Sequence, residues 1–149
     1  METIAQTFSY DHSRCDKFFA KAEECVAKKD WKSATTDFAK FLSAMERHFR
    51  MEEEVLFPTI EERMGQRIGP TQVMRMEHQQ MRDLFVEMQD SLTQQDSDEY
   101  LGLSETLLML MQQHNGKEEH MLYPLSDRVL EHDASTIIDK MQANGDSLL

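Results

Sequence analysis

Two segments of the 149-residue chain carry the same arrangement of donors, His48-Phe49-Arg50-Met51-Glu52 and His114-Asn115-Gly116-Lys117-Glu118. In each, an imidazole and a carboxylate stand four residues apart, a spacing that projects both from one side of an α-helix. Two further histidines, His12 and His78, lie amid apolar residues. Imidazole nitrogens with carboxylate oxygens suit borderline first-row metal ions, because a carboxylate can bridge two ions while each takes imidazoles terminally. Turning these groups into an interior without partners costs on the order of 1–3 kcal/mol for each neutral group and more for each charged one. A pair of metal ions accounts for His12, His48, Glu52, His78, His114 and Glu118 together, with iron the preferred assignment. The methionines, soft donors of the kind copper(I) prefers, fill ordinary positions in apolar stripes.

Elements of helical period must carry these side chains, and apolar residues recur at that period in four stretches. The first runs Ala5, Phe8, His12, Cys15, Phe19, Ala22 and Val26, ending at Lys28-Lys29-Asp30. The second runs Phe38, Phe41, Leu42, Met45, His48, Glu52, Val55 and Leu56 to about Met64, with Gly65 as its stop. Gly69-Pro70 suits the start of the third, Met74, His78, Met81, Phe85, Met88 and Leu92, after which Gln94 to Asp98 reads as a turn. The fourth holds Leu107, Leu108, Met111, His114, Glu118, Met121, Leu122 and Leu125, and Asp133 is placed to cap a short terminal helix through about Met141. Few glycines and prolines, and an abundance of helix formers, leave little for the turns of a sheet. The expectation is an all-α protein, an up-down-up-down four-helix bundle with a short C-terminal helix, occupying residues 1–149 as one domain with a bundle core from about 8 to 130.

Shifting the chain by 66 residues superposes its halves without a gap: His12 falls on His78, Phe19 on Phe85, Leu42 on Leu108, Met45 on Met111 and His48 on His114. The match continues with Glu52 on Glu118, Glu53 on Glu119, Leu56 on Leu122, Phe57 on Tyr123 and Pro58 on Pro124. A duplicated helical hairpin explains this register, with matched residues facing each other about a pseudo-twofold axis. The two prolines should each remove a backbone hydrogen bond and kink their helix.

The formal net charge of −12 repels nucleic-acid phosphates and anionic lipid, and no basic patch offsets it, so neither is an expected partner. No apolar run reaches the roughly 20 residues needed to cross a bilayer. The start Met1-Glu2-Thr3-Ile4-Ala5 lacks the form of a signal peptide, which points to the cytoplasm. Cys15 and Cys25, ten apart on one helix, are badly placed to bridge each other and read as reduced, buried thiols. His120 and His132 fall outside the repeated pattern and are expected at the surface, and Glu53, Glu54, Glu61 and Glu62 read as a solvated helix face. Phe57 and Tyr123 read as core residues near the donors, with Tyr123 able to hydrogen-bond there, while Trp31 carries no functional signal.

The order His, then His-x-x-x-Glu, then His, then His-x-x-x-Glu on successive helices resembles the hemerythrin-like family over roughly Phe8 to Leu130. The paired signatures His48-x-x-x-Glu52-Glu53-x-x-Leu56-Phe57-Pro58 and His114-x-x-x-Glu118-Glu119-x-x-Leu122-Tyr123-Pro124 carry that resemblance. It implies a non-haem centre of two iron ions, oxo- or hydroxo-bridged, that meets oxygen, nitric oxide or peroxide in sensing, stress defence or iron handling. By the same resemblance His12 and His48 would hold one iron and His78 and His114 the other, with Glu52 and Glu118 bridging. The oxygen-carrying members place a further histidine one turn before the third-helix ligand, where this chain has Met74, and that argues against a reversible carrier. They also set the last carboxylate five residues after its histidine, which would select Glu119; helical geometry favours Glu118, since four residues turn about 40° past a full revolution and five about 140°. The competing reading is a metal-free bundle in which a histidine accepts phosphate, and that requires a histidine facing solvent.

Overall fold

A computed structural model describes residues 2–66 and 69–146, and these are helical apart from short connections. Helix α1, Ile4–Ala27, opens on a capping box: the Thr3 hydroxyl accepts from the Gln6 amide at 3.0 Å, and the Gln6 side chain accepts from the Thr3 amide at 2.9 Å. Helix α2, Trp31–Met51, starts at Asp30, whose carboxylate accepts from the Ser33 amide. It continues through a π-helical turn, Glu52–Leu56, into α3, Phe57–Met64, which ends at Gly65 in the left-handed conformation, φ 77°. Helix α4 spans Gly69–Thr93 and α5 spans Ser97–Lys117, capped by Asp96. A second π-helical turn, Glu118–Leu122, leads into α6, Tyr123–Val129, and α7 covers Ala134–Asp146.

The duplication extends to the turns inside each hairpin. Lys29 and Gln95, 66 residues apart, both adopt positive φ, 58° and 55°, and each precedes the aspartate that caps the next helix. The amides of Asp30 and Asp96 return to the Cys25 and Ser91 carbonyls, both at 2.9 Å. The connection expected over Gln94 to Asp98 is therefore shorter, because Asp96 acts as a cap and Ser97 already begins α5.

The prolines stand at the starts of α3 and α6. Each follows a π turn in which the amide of the residue before it, Phe57 or Tyr123, reaches five residues back to the carbonyl of Glu52 or Glu118. A proline cannot donate and its ring crowds the carbonyl four residues earlier, so widening the preceding turn by one residue removes the clash while the helix continues. Leu122 is buried while Met121, expected in the apolar stripe, is 61% exposed; its equivalent Val55, in the first π turn, is buried because α7 packs over that turn. Leu108 likewise lies at the edge of the surface rather than in the core.

Helix α1 packs on α2 and α5, and α4 packs on α5 and α2, closing a four-helix ring; α7 lies against α2, the first π turn and α1. Ile137, Ile138 and Met141 dock α7, which runs past the expected end near Met141. The interior holds two apolar clusters. One gathers Phe19, Val26, Phe38, Phe41, Phe85, Met88, Tyr100 and Leu107; the other gathers Ile4, Phe8, Leu56, Phe57, Ile60, Met74, Leu122 and Tyr123. Along every helix of the ring, the histidine falls between the segments that feed these clusters, so the donors form a polar layer between two dry ends. Among the described residues, no helix is long and apolar enough to cross a membrane.

Candidate metal centre

All six expected donors reach that layer. His12, His48, His78 and His114 are at most 6% exposed, and Glu52 and Glu118 are fully buried. Their atoms form two overlapping groups, Glu52, His78, His114 and Glu118 on one side, and His12, His48 and Glu118 on the other. The His12 Nε2 lies 3.1 Å from His48 Nε2 and 3.0 Å from Glu118 Oε1. Glu52 Oε1 lies 3.3 Å from His48 Nε2 and 3.1 Å from His78 Nε2, and Glu118 Oε1 is 3.3 Å from His114 Nε2. Each inward carboxylate thus stands between imidazoles of both halves.

The outer nitrogens are equally ordered. Nδ1 of His12 meets Glu119 at 2.9 Å, that of His48 meets Asp11 at 2.8 Å, that of His78 meets Glu53 at 2.7 Å, and that of His114 meets Glu77 at 2.9 Å. An ionised carboxylate only accepts, so each Nδ1 carries the proton and a neutral ring presents a bare lone pair at Nε2. These partners obey the 66-residue shift, with Asp11 on Glu77 and Glu53 on Glu119. Sequence reasoning missed Asp11 and Glu77, although the register that aligns His12 with His78 also aligns the acidic residue before each. Glu53 is a correction: it leaves the solvated face to hold His78 and a bidentate Arg82, at 2.9 and 3.0 Å. Glu61 is a second correction, since it is largely covered and accepts from Thr71 and Arg75. Glu54 and Glu62 remain exposed, as do His120 and His132. Glu119, the alternative inward carboxylate, is half-exposed and faces the outer side of His12, whereas Glu118 faces the centre.

The electrostatics show what the layer lacks. Among the described residues, the ion-pair partners of Glu52 and Glu118 are imidazoles alone. Burial opposes the charge on His48, yet Glu52, Asp11 and Glu118 outweigh it and raise its pKa well above the ordinary value. Burial likewise opposes the charge on His114, but Glu118, Glu77 and Glu52 lift its pKa to about 10. Burial would raise Glu118, but His114, Glu52 and His12 hold it well below the usual carboxylate range. Glu53, despite burial, is held at about 2 by His78 and Arg82. The cluster is acidic and gathers positive charge wherever it can.

The atoms fit a cation. Glu52 Oε1, Glu118 Oε2, His78 Nε2 and His114 Nε2 are buried without a hydrogen-bond partner, and all four belong to the layer. With both rings neutral and protonated at Nδ1, the Nε2 lone pairs of His12 and His48 would face each other at 3.1 Å and repel unless a positive group lay beside them. Buried orphans on one donor layer are what a bound metal satisfies. Apolar rings frame the layer, with Phe49 stacked on His78 at 4.0 Å and Phe8 edge-on to His48 at 5.1 Å. A cleft of about 370 Å³, lined in part by His12, Asp16, Met111 and Glu119, opens beside it.

Tyr123 also enters the layer. Its hydroxyl lies 2.8 Å from both Glu52 Oε2 and Glu118 Oε1, and its pKa is pushed well above the ordinary value by burial and by these two carboxylates. Cys15, one turn after His12, is buried; burial raises its pKa to about 12, which leaves it a packed thiol. Cys25 is only half-buried and donates to Asp37 at 3.3 Å. Residues 3–126 match the family described as the hemerythrin HHE cation binding domain. No curated protein and no solved structure shows a significant match to the chain.

Proposed function

The chain belongs to the hemerythrin HHE cation-binding domain family, and on that premise we propose that it is a non-haem di-iron protein that binds or reacts with oxygen, nitric oxide or peroxide. The observation that carries the reading is the convergence of His12, His48, Glu52, His78, His114 and Glu118 with buried, unpartnered donor atoms among them. His12 and His48 would hold one ion, His78 and His114 the other, and Glu52 and Glu118 would span both. Iron suits nitrogen and carboxylate donors in this mixture. Two adjacent irons would supply electrons one at a time and open positions for small oxidants.

The remaining work belongs to the protein. Asp11, Glu53, Glu77 and Glu119 fix the tautomer and orientation of the four imidazoles, which raises their basicity as ligands. The apolar clusters above and below the layer exclude water and favour uncharged diatomic molecules over ions. The burial of the same histidines speaks against the phosphate-accepting alternative, because a phosphodonor needs an exposed ring.

Stopped-flow mixing of the reduced, iron-loaded protein with oxygen, nitric oxide and peroxide tests this reading, with metal-depleted protein as the reference. Rapid optical changes that require iron are expected. Uptake of oxygen that reverses on lowering its pressure would mark a carrier instead, and inertness toward all three would remove the oxidant reading. Sustained consumption separates turnover from sensing.

A further inference from the structure

The duplication is uneven around the donor layer, and one difference carries a donor atom: Tyr123 stands at the position equivalent to Phe57. The phenol oxygen lies 3.2 Å from His12 Nε2, 3.5 Å from His48 Nε2, and 2.8 Å from both Glu52 Oε2 and Glu118 Oε1. Neighbouring ligands of an octahedral ion are separated by about 3 Å when the bonds are about 2.1 Å long. The tyrosine oxygen comes close to that spacing from His12 and from both carboxylates, with His48 farther at 3.5 Å. One hydroxyl proton makes at most one linear hydrogen bond, so it cannot fully satisfy two carboxylate oxygens at 2.8 Å. Phe8, stacked on Tyr123 at 4.9 Å, holds the ring in place.

Among the described residues, the other half has no counterpart to this oxygen at the equivalent position, Phe57. Phe57 lies beside His78 at 5.8 Å and Phe49 stacks on the same imidazole, so apolar carbon stands where the first half has a phenol. Between the helices that carry His78 and His114, an apolar cleft of about 330 Å³ is lined by Pro70, Val73, Met74, Lys117, Met121 and Leu122.

We propose that Tyr123 is a seventh protein ligand of the centre, bound to the ion held by His12 and His48, so that exogenous ligands meet the ion held by His78 and His114. This rests on the di-iron reading above. On coordination the bond from oxygen to hydrogen is replaced by one from oxygen to iron, and the proton leaves to solvent. A histidine at position 74 would close the His78 and His114 side, as it does in the oxygen-carrying pattern; here Met74 leaves that side open and the tyrosine closes the other. The polarity of the site is inverted.

The test loads wild type and Tyr123→Phe with iron, counts the metal, and records the visible absorption and resonance Raman spectra of the ferric proteins. Ring-deuterated tyrosine is incorporated in parallel. Wild type should hold about two irons and show a visible phenolate-to-iron band whose vibrations shift on deuteration. Tyr123→Phe should keep the irons and lose the band. Tyr10 is 73% exposed and Tyr100 lies in the other apolar cluster, so an isotope-sensitive band in wild type supports Tyr123 even if the variant folds poorly. Two irons without such a band, or a band that survives in Tyr123→Phe, overturns the assignment alone. A chain that takes up no iron overturns it together with the di-iron reading.

Discussion

At the scale of single residues, each imidazole of the layer is held outward at Nδ1 by a carboxylate of its own, while its Nε2 faces the inward carboxylates. The outer grip makes a distinct prediction, because removing a carboxylate behind a ligating histidine weakens metal binding by about 10–100-fold. Glu77→Ala should loosen metal to that extent, measured by competition with a chelator, while Glu62→Ala on the exposed face should not. Equal effects would mean that the Glu77 contact with His114 holds nothing. The thiols give a second residue-scale test. With its pKa raised to about 12 by burial, Cys15 should resist alkylation in the folded protein, and the half-buried Cys25 should react first. Mass spectrometry after a timed exposure checks this order; prompt labelling of Cys15 would show that the layer is open to bulk solvent.

At the scale of elements, His48, Glu52, His114 and Glu118 were legible because a four-residue spacing fixes a helical face whatever surrounds it, and His12 and His78 because the 66-residue repeat sets them in equivalent apolar stripes. The helices were legible for the same reason. The outer carboxylates were not, since Asp11 and Glu77 sit one position off the apolar stripe and only the packing of a neighbouring helix turns them toward a ring. Glu53 was misread because the π turn, which single-helix periodicity does not contain, swings it toward His78. Pro58 and Pro124 mark the places where each helix passes through that turn. The start of α1 is fixed by another long-range contact, the Asp127 carboxylate accepting the amides of Ile4 and Ala5 at 2.8 and 3.2 Å. Losing a cap of this kind costs about 1–2 kcal/mol. Asp127→Ala should therefore lower the denaturation midpoint while metal content stays unchanged, read by urea titration and metal analysis. A loss of metal at unchanged stability would show that α6 acts on the site rather than on the helix end.

At the scale of the whole molecule, one layer joins all four helices of the ring, so whatever fills it ties the bundle together between its two apolar clusters. Binding to the folded state alone stabilises it by about 4 kcal/mol when ligand exceeds its dissociation constant a thousandfold, a rise in Tm on the order of 10 °C for a chain of this size. Chelation should lower Tm by that order and re-addition of iron should restore it, which calorimetry would follow; an unchanged midpoint would separate metal from folding. The central claim is that two ions share Glu52 and Glu118. Its most direct measurement is the iron content per chain after reconstitution and removal of loosely held metal, in wild type and in Glu118→Ala. About two irons per chain are expected in wild type, from two half-sites related by the duplication. Glu118→Ala, which removes an oxygen near His12 and His114 alike, should retain neither firmly. One iron or none in reconstituted wild type, or two retained in Glu118→Ala, would contradict the account.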